Sequence, residues 1–163
     1  MPSVENPFQG QILEGWQVYQ DHLVAAISPL TAEQLAFRLA PNLRSIMVVA
    51  AHIVAARVWW LRLVMQEGSP EIEPLVTWDD EGEPARSAAE LAAGLEQTWK
   101  MIESGLQRWT AVDMQQVFYR PGSDKTRPFT RQWIIWHVLE HDLHHGGEVS
   151  FALGAQGLAG IDL

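Results

Sequence analysis

Five of the six histidines fall in two stretches: His52 alone, and His137, His141, His144 and His145 within nine residues. Imidazole suits divalent transition metals, which it binds through the lone pair of a neutral ring nitrogen. On a helix, positions four apart differ by about 40° in direction. His141 and His145 therefore present their rings on one face, with His137 one turn earlier on the same stripe. A divalent ion needs about three such ligands, plus open positions for water or substrate. A histidine from a facing helix completes the set. His52 is the other one in a core-like setting, where Ala50, Ala51, Ala55 and Ala56 leave room beside its ring. Burying unpaired imidazoles costs on the order of 1–3 kcal/mol each, so four close together are hard to explain as packing. His22, one polar residue among others, carries no comparable signal.

The string His137-Val138-Leu139-Glu140-His141 also fits the H-x-x-E-H pattern of inverted zincin peptidases. That chemistry needs a third, acidic ligand from a downstream helix. Only 22 residues follow His141, and Glu148 lies on the same helix. Glu140 is therefore read as a solvated residue or one that steadies a ligand ring.

The elements that must position these residues are helical. Four long segments show apolar spacing of helical period, and no window sustains the alternation of a strand, so the fold is predicted to be all-α. The first runs from about Asn6 to Ser28 with Phe8, Ile12, Trp16, Tyr19 and Leu23 on one face, and Thr31-Ala32-Glu33-Gln34 after it is a capping box. The second starts near Ser45 and runs to about Gln66; it is apolar nearly all round and should be the most buried. The third starts at a second capping box, Ser87-Ala88-Ala89-Glu90, and continues through Leu91, Leu95, Trp99, Ile102, Leu106 and Trp109. The fourth follows Pro128 and Thr130, with Trp133, Trp136, Leu139, Leu143 and Val149 directed inward, and fades near Gly154 and Gly157. Two long connections, Glu67 to Arg86 and Thr110 to Phe129, can return along the helices, so neighbours need not all be antiparallel.

Composition narrows the function. The chain has 163 residues, 47% of them hydrophobic, as expected of a single domain spanning 1–163. With no cysteine, thiolate zinc sites and cysteine nucleophiles are excluded. A net charge of −9 opposes nucleic acid and anionic membrane surfaces as partners. The start, MPSVENPFQGQ, lacks the features of a secretory signal. The most apolar run, Ile46 to Val64, is interrupted by His52, Arg57 and Arg62 and reads as a buried helix rather than a membrane span, with a cytoplasmic location as the expectation.

The run Trp136-His137-Val138-Leu139-Glu140-His141-Asp142-Leu143-His144-His145-Gly146-Gly147-Glu148 resembles the signature of the DinB/YfiT-like superfamily, whose last helix carries H-x-x-H-H-R-G-Q or a close variant. His52 stands where that family has its helix-two histidine, and Leu153-Gly154-Ala155-Gln156-Gly157-Leu158 is similar to its usual close. The resemblance implies a four-helix bundle with a divalent metal, nickel or zinc, on His52, His141 and His145. Gly146 and Glu148 replace the common arginine and glutamine. Relatives include transferases and isomerases that use mycothiol, bacillithiol or glutathione, and the metal-binding domain of sulfoxide synthases.

The leading expectation is a metalloenzyme acting on a small molecule, with a low-molecular-weight thiol as cosubstrate by family analogy alone. His144 or Glu148 is expected to act as general base or to orient a ligand imidazole. Metal-dependent hydrolysis and a non-catalytic metal- or ligand-binding bundle are the alternatives, and replacement of His145 by His137 in the ligand set stays open. Trp59, Trp60, Trp133 and Trp136 are expected near the ligands, as core or as pocket lining. The first connection, around Trp78, Asp79 and Asp80, is expected to shape a thiol pocket without affecting metal content, and the family resemblance together with the excess of apolar helix surface suggests a homodimer.

Overall fold

A computed structural model describes residues 7–161. The opening residues, including Asn6 and most of the segment read for a secretory signal, lie outside the described residues. Helices dominate: α1 (Pro7–Ile27), α2 (Ala32–Ala36), α3 (Ile46–Val58), α4 (Ala88–Arg108) and α5 (Arg131–Ala155). Local chemistry explains where they start. Thr31 and Ser87 form complete capping boxes with Gln34 and Glu90, while Ser45 and Thr130 accept from the amides of Val48 and Trp133.

The helix begun by α3 continues through a π-helical turn, Trp59–Val64, in which the Met65 amide reaches back five residues to the Trp60 carbonyl. It ends where Gln66 adopts a left-handed φ of 59°. The stretch Ile46–Val64 is apolar and long enough to cross a membrane, but most of it is buried against the other helices. Both long connections carry structure. The first holds a 3-10 helix, Pro70–Thr77. The second holds another, Asp113–Gln115, and a two-residue antiparallel pair, β1 (Val117–Phe118) with β2 (Phe129–Thr130). The fold is mostly helical, as the spacing predicts, and this one pair is the departure from all-α, too short for a period-two pattern to register.

Contacts fix the helix directions. Gln9 of α1 donates to the Leu106 carbonyl and Trp99 donates to Gln17, so α1 and α4 run in opposite senses. His52 meets His145, and Trp60 meets Trp133, so α3 and α5 also oppose. Gly94 is packed against Val54, and Arg57 reaches Thr98, so α3 and α4 run the same way, with the first long connection returning the chain between them.

The apolar interior falls into two clusters, one around Trp16, Leu61, Trp99, Ile102 and Ile134, the other around Leu23, Ile53, Leu91, Leu95 and Val149. Between them lies a buried polar layer with one residue from each long helix: Gln20, Arg57, Thr98 and Asp142. The inward face of α5 differs from the sequence expectation. Val149 is buried, whereas Trp136 is 56% exposed and Leu143 also faces solvent. The stripe that packs is Ile134, Ile135, Val138, Asp142, His145, Gly146 and Val149. Asp142 and Gly146 hide that face from an apolar count, because one is a carboxylate and the other has no side chain. Phe8, placed on the inner face of the first helix by spacing, is 71% exposed.

Candidate metal centre

His52, near the middle of α3, and His141 and His145, one turn apart on α5, come together where those helices cross. One ligand nitrogen from each lies within 4.8 Å of the others. The Nε2 atoms of His52 and His141 are 3.0 Å apart, and the His145 ring packs edge-on against both, with centroids 4.7 and 4.3 Å away.

Two of the three rings are held from behind. Asp79 accepts a 2.6 Å hydrogen bond from His52 Nδ1–H, which leaves the His52 Nε2 lone pair facing His141. The same bond, ahead of the opposing effect of burial, keeps the Asp79 carboxyl below its ordinary pKa. His145 Nδ1–H donates to Glu148 at 2.9 Å, and Arg44 Nη2 stands 3.3 Å from both partners. Burial pushes His145 down, against the opposing pull of Glu148. For Glu148 burial works against ionisation, but the hydrogen bond from His145 and the charge of Arg44 outweigh it and hold the carboxyl low.

These groups fit a divalent ion. Burial, with further help from His145, His52, His137 and Arg44, lowers His141 to about 3, so its ring is neutral near pH 7. Its Nδ1 is buried without a hydrogen-bond partner among the described residues, so nothing there competes for the ring. At 3.0 Å an Nε2–H of His141 donates to the His52 Nε2 lone pair, and a divalent ion lying against both nitrogens takes the place of that proton. Nitrogens bound about 2.0–2.1 Å from one ion stand roughly 3 Å apart when they meet it at a right angle. The His52 side chain is 28% exposed, so the cluster opens to solvent on one side.

Behind the cluster, the Asp142 carboxylate accepts from Arg57 Nη2 at 2.7 Å, Arg57 Nε at 3.0 Å and Trp16 Nε1 at 2.8 Å. Arg57 also donates to Gln20, Thr98 and the Leu95 carbonyl. The Tyr19 hydroxyl donates to the Asp142 carbonyl, and burial raises its pKa to about 12. A Cβ at position 146 would lie 1.7 Å from that hydroxyl, which accounts for Gly146 in place of a larger residue. Asp142 adjoins His141 in sequence, so this network fixes the rotation of α5 that aims His141 at His52.

The remaining candidates are placed as follows. His144 is 70% exposed and packs its ring against His145, with Nε2 3.8 Å from Glu148 Oε1. His137 stacks on Trp133 and meets Trp60 edge-on, 6.3 Å by centroid from His141, outside the three-histidine group. Its partner Glu140 is largely exposed. Trp60 is buried and Trp59 and Trp133 partly so, forming an aromatic cluster with Phe129 one turn from the centre. Asp79, in sequence only one residue of a long connection, grips His52, so the segment around Trp78, Asp79 and Asp80 reaches the candidate ligands as well as any pocket beside them. Loop length was the one signal that pointed there. Arg44 and the Arg57–Asp142 pair went unrecognised because their partners lie about a hundred residues away.

In solved structures, a DinB-like protein from Bacillus cereus ATCC 10987 is similar over 93% of this chain and 95% of that one, at 24% identity and a TM-score of 0.74. A DinB-like protein from Bacillus subtilis is similar over 94% and 96%, at 12% identity and a TM-score of 0.66. At these identities the likeness shows the fold alone. No curated protein matches the chain significantly. The DinB superfamily profile matches residues 16–149, which takes in His52, His141, His145 and the polar layer behind them, and the chain belongs to the DinB superfamily.

Proposed function

We propose that the chain is a single-domain four-helix bundle, spanning 1–163, that uses a divalent transition metal such as nickel or zinc on His52, His141 and His145. Its reaction is the transfer of a low-molecular-weight thiol to, or its exchange on, a small molecule. The observation that carries the metal reading is the convergence of three imidazoles, two of them oriented by carboxylates. A metal bound there lowers the pKa of a coordinated water or thiol and so supplies a nucleophile near neutral pH. The thiol rests on family resemblance alone.

The chain's own residues bind, orient and move protons. Asp79 holds the His52 proton on Nδ1, and Glu148 does the same for His145, so both rings keep their other nitrogen for the ion. His144 adjoins His145 and is open to solvent, placed to accept a proton. The aromatic cluster of Trp60, Trp133 and Phe129 supplies an apolar wall one turn away.

Hydrolysis is the second reading, favoured by the solvent-open side of the cluster, which gives water the same access as a thiol. Protein purified without a histidine tag should contain about one transition-metal equivalent, and His52→Ala should abolish binding at that affinity. Asp79→Asn should weaken metal affinity by about 10–100-fold while the helices stay folded. With cobalt(II), added mycothiol, bacillithiol or glutathione should produce a sulfur-to-metal charge-transfer band. Exchangeable water at the ion without any thiol band would transfer the assignment to hydrolysis. An ion that neither reaches would make the site structural.

A further inference from the structure

The outer edge of α5 gathers a second set of ligating groups. His144 and Glu148 stand four residues apart, with His144 Nε2 3.8 Å from Glu148 Oε1. Glu148 Oε2 is 2.9 Å from His145 Nδ1. A ligand atom from each of these three residues lies within 4.8 Å of the others. A positive group already occupies this corner, because Arg44 Nη2 is 3.3 Å from both Glu148 Oε2 and His145 Nδ1.

We propose that His144, Glu148 and the Nδ1 of His145 form a second, outer site for a divalent transition-metal cation, which displaces the guanidinium of Arg44 on binding. Two imidazoles and a carboxylate are a donor set that zinc accepts, and ligands at about 2.0–2.2 Å from one ion span separations close to those seen here. All three donors lie on adjacent turns of one 25-residue helix, so binding requires side-chain adjustment only. His144 is exposed and free to make that adjustment. The pair that is displaced is 40% exposed on each side, and a pair so exposed opposes the ion by at most about fivefold in affinity.

His145 links the outer site to the inner one. A neutral imidazole has a single lone pair. When His145 serves the inner ion through its other nitrogen, its Nδ1–H stays on Glu148, and an outer ion has only His144 and Glu148. When the inner site is empty, the Nδ1 lone pair becomes available to the outer ion. The two sites are therefore antagonistic, a coupling that rests on the inner site proposed above, whereas the outer site itself does not.

Zinc titration by calorimetry on tag-free protein tests this. The His52→Ala protein should still bind one zinc per chain, more weakly than the unaltered inner site. His52→Ala/His144→Ala should weaken that binding at least tenfold, with circular dichroism confirming that the helices persist. Arg44→Met in the His52→Ala background should tighten it by up to about fivefold. The proposal is overturned if the His52→Ala protein binds no zinc, or if its zinc is indifferent to His144. If His52→Ala leaves the tightest zinc of the unaltered protein in place while His144→Ala removes it, the inner centre fails and the outer site stands.

Discussion

Arg57–Asp142 and Arg44–Glu148 are both arginine–carboxylate pairs that tie α5 to the segment around α3, and each adjoins one of the clustered histidines. Their surroundings differ completely. The first is fully buried, its carboxylate held by both Arg57 and Trp16, with Gln20, Thr98 and a carbonyl taking the remaining guanidinium donors. The second is a single 3.3 Å contact between half-exposed groups. Burial, not the chemical type of the pair, sets what each can do. A buried pair gains little net stability over an apolar replacement, yet is costly to break once formed. It therefore acts as a register pin: the Arg57–Asp142 layer tolerates one rotation of α5, the one that aims His141 at His52. The outer pair is cheap to break, which leaves Glu148 available for His145, His144 or a cation.

Breaking the inner pair should have the largest effect. Arg57→Ala leaves the Asp142 charge buried without its main partner and should destabilise the protein by about 3–5 kcal/mol in urea unfolding. Arg57→Met combined with Asp142→Leu should recover most of that loss, short of about 1–3 kcal/mol for the unpaired Trp16 N–H. Metal affinity in the recovered protein should stay at least tenfold below normal. Normal affinity there would show that the layer does not position the histidines.

Next in size is Gly146→Ala, which drives a methyl group into the Tyr19 hydroxyl and should cost about 1–3 kcal/mol. Adding Tyr19→Phe should relieve the clash. If it does not, the close approach is not what requires glycine.

Acid should act on the histidine cluster. His141 is held at about 3 in the folded state against 6.5 unfolded, so between those values the unfolded chain binds more protons. The stabilising contribution of the neutral ring is complete above about pH 6.5 and is lost as pH falls toward 3. Urea unfolding of metal-free protein should show stability declining over that window, and His141→Phe should flatten the decline. An unchanged slope in that variant would place the titrating group elsewhere.

The smallest effect belongs to the outer pair. Arg44→Met should change stability by no more than about 1 kcal/mol, and the difference should shrink in high salt. A loss as large as that for Arg57→Ala would erase the contrast between the two pairs.

Local chemistry made much of the molecule legible in its residues. Serine and threonine caps with glutamate or glutamine three positions on marked helix starts, because capping involves side chains and amides a few residues apart. The four-residue spacing of His141 and His145 placed two rings on one face for the same reason, and the alanines around His52 marked where a ring could fit. The inward face of α5 was not readable in this way. It runs through Asp142 and Gly146, whose burial depends on Arg57, Trp16 and Tyr19 on other helices, whereas an apolar count favours Trp136 and Leu143. The partners of His52 and His145, Asp79 and Arg44, were equally hidden, since each comes from a connection whose path is set by packing. The sequence by itself determined the helices, their starts and the cluster of candidate ligands. Only the tertiary structure decided which nitrogens meet, because that depends on the rotation of α5 about its own axis, fixed by a polar layer whose hydrogen bonds join residues 37 to 126 positions apart.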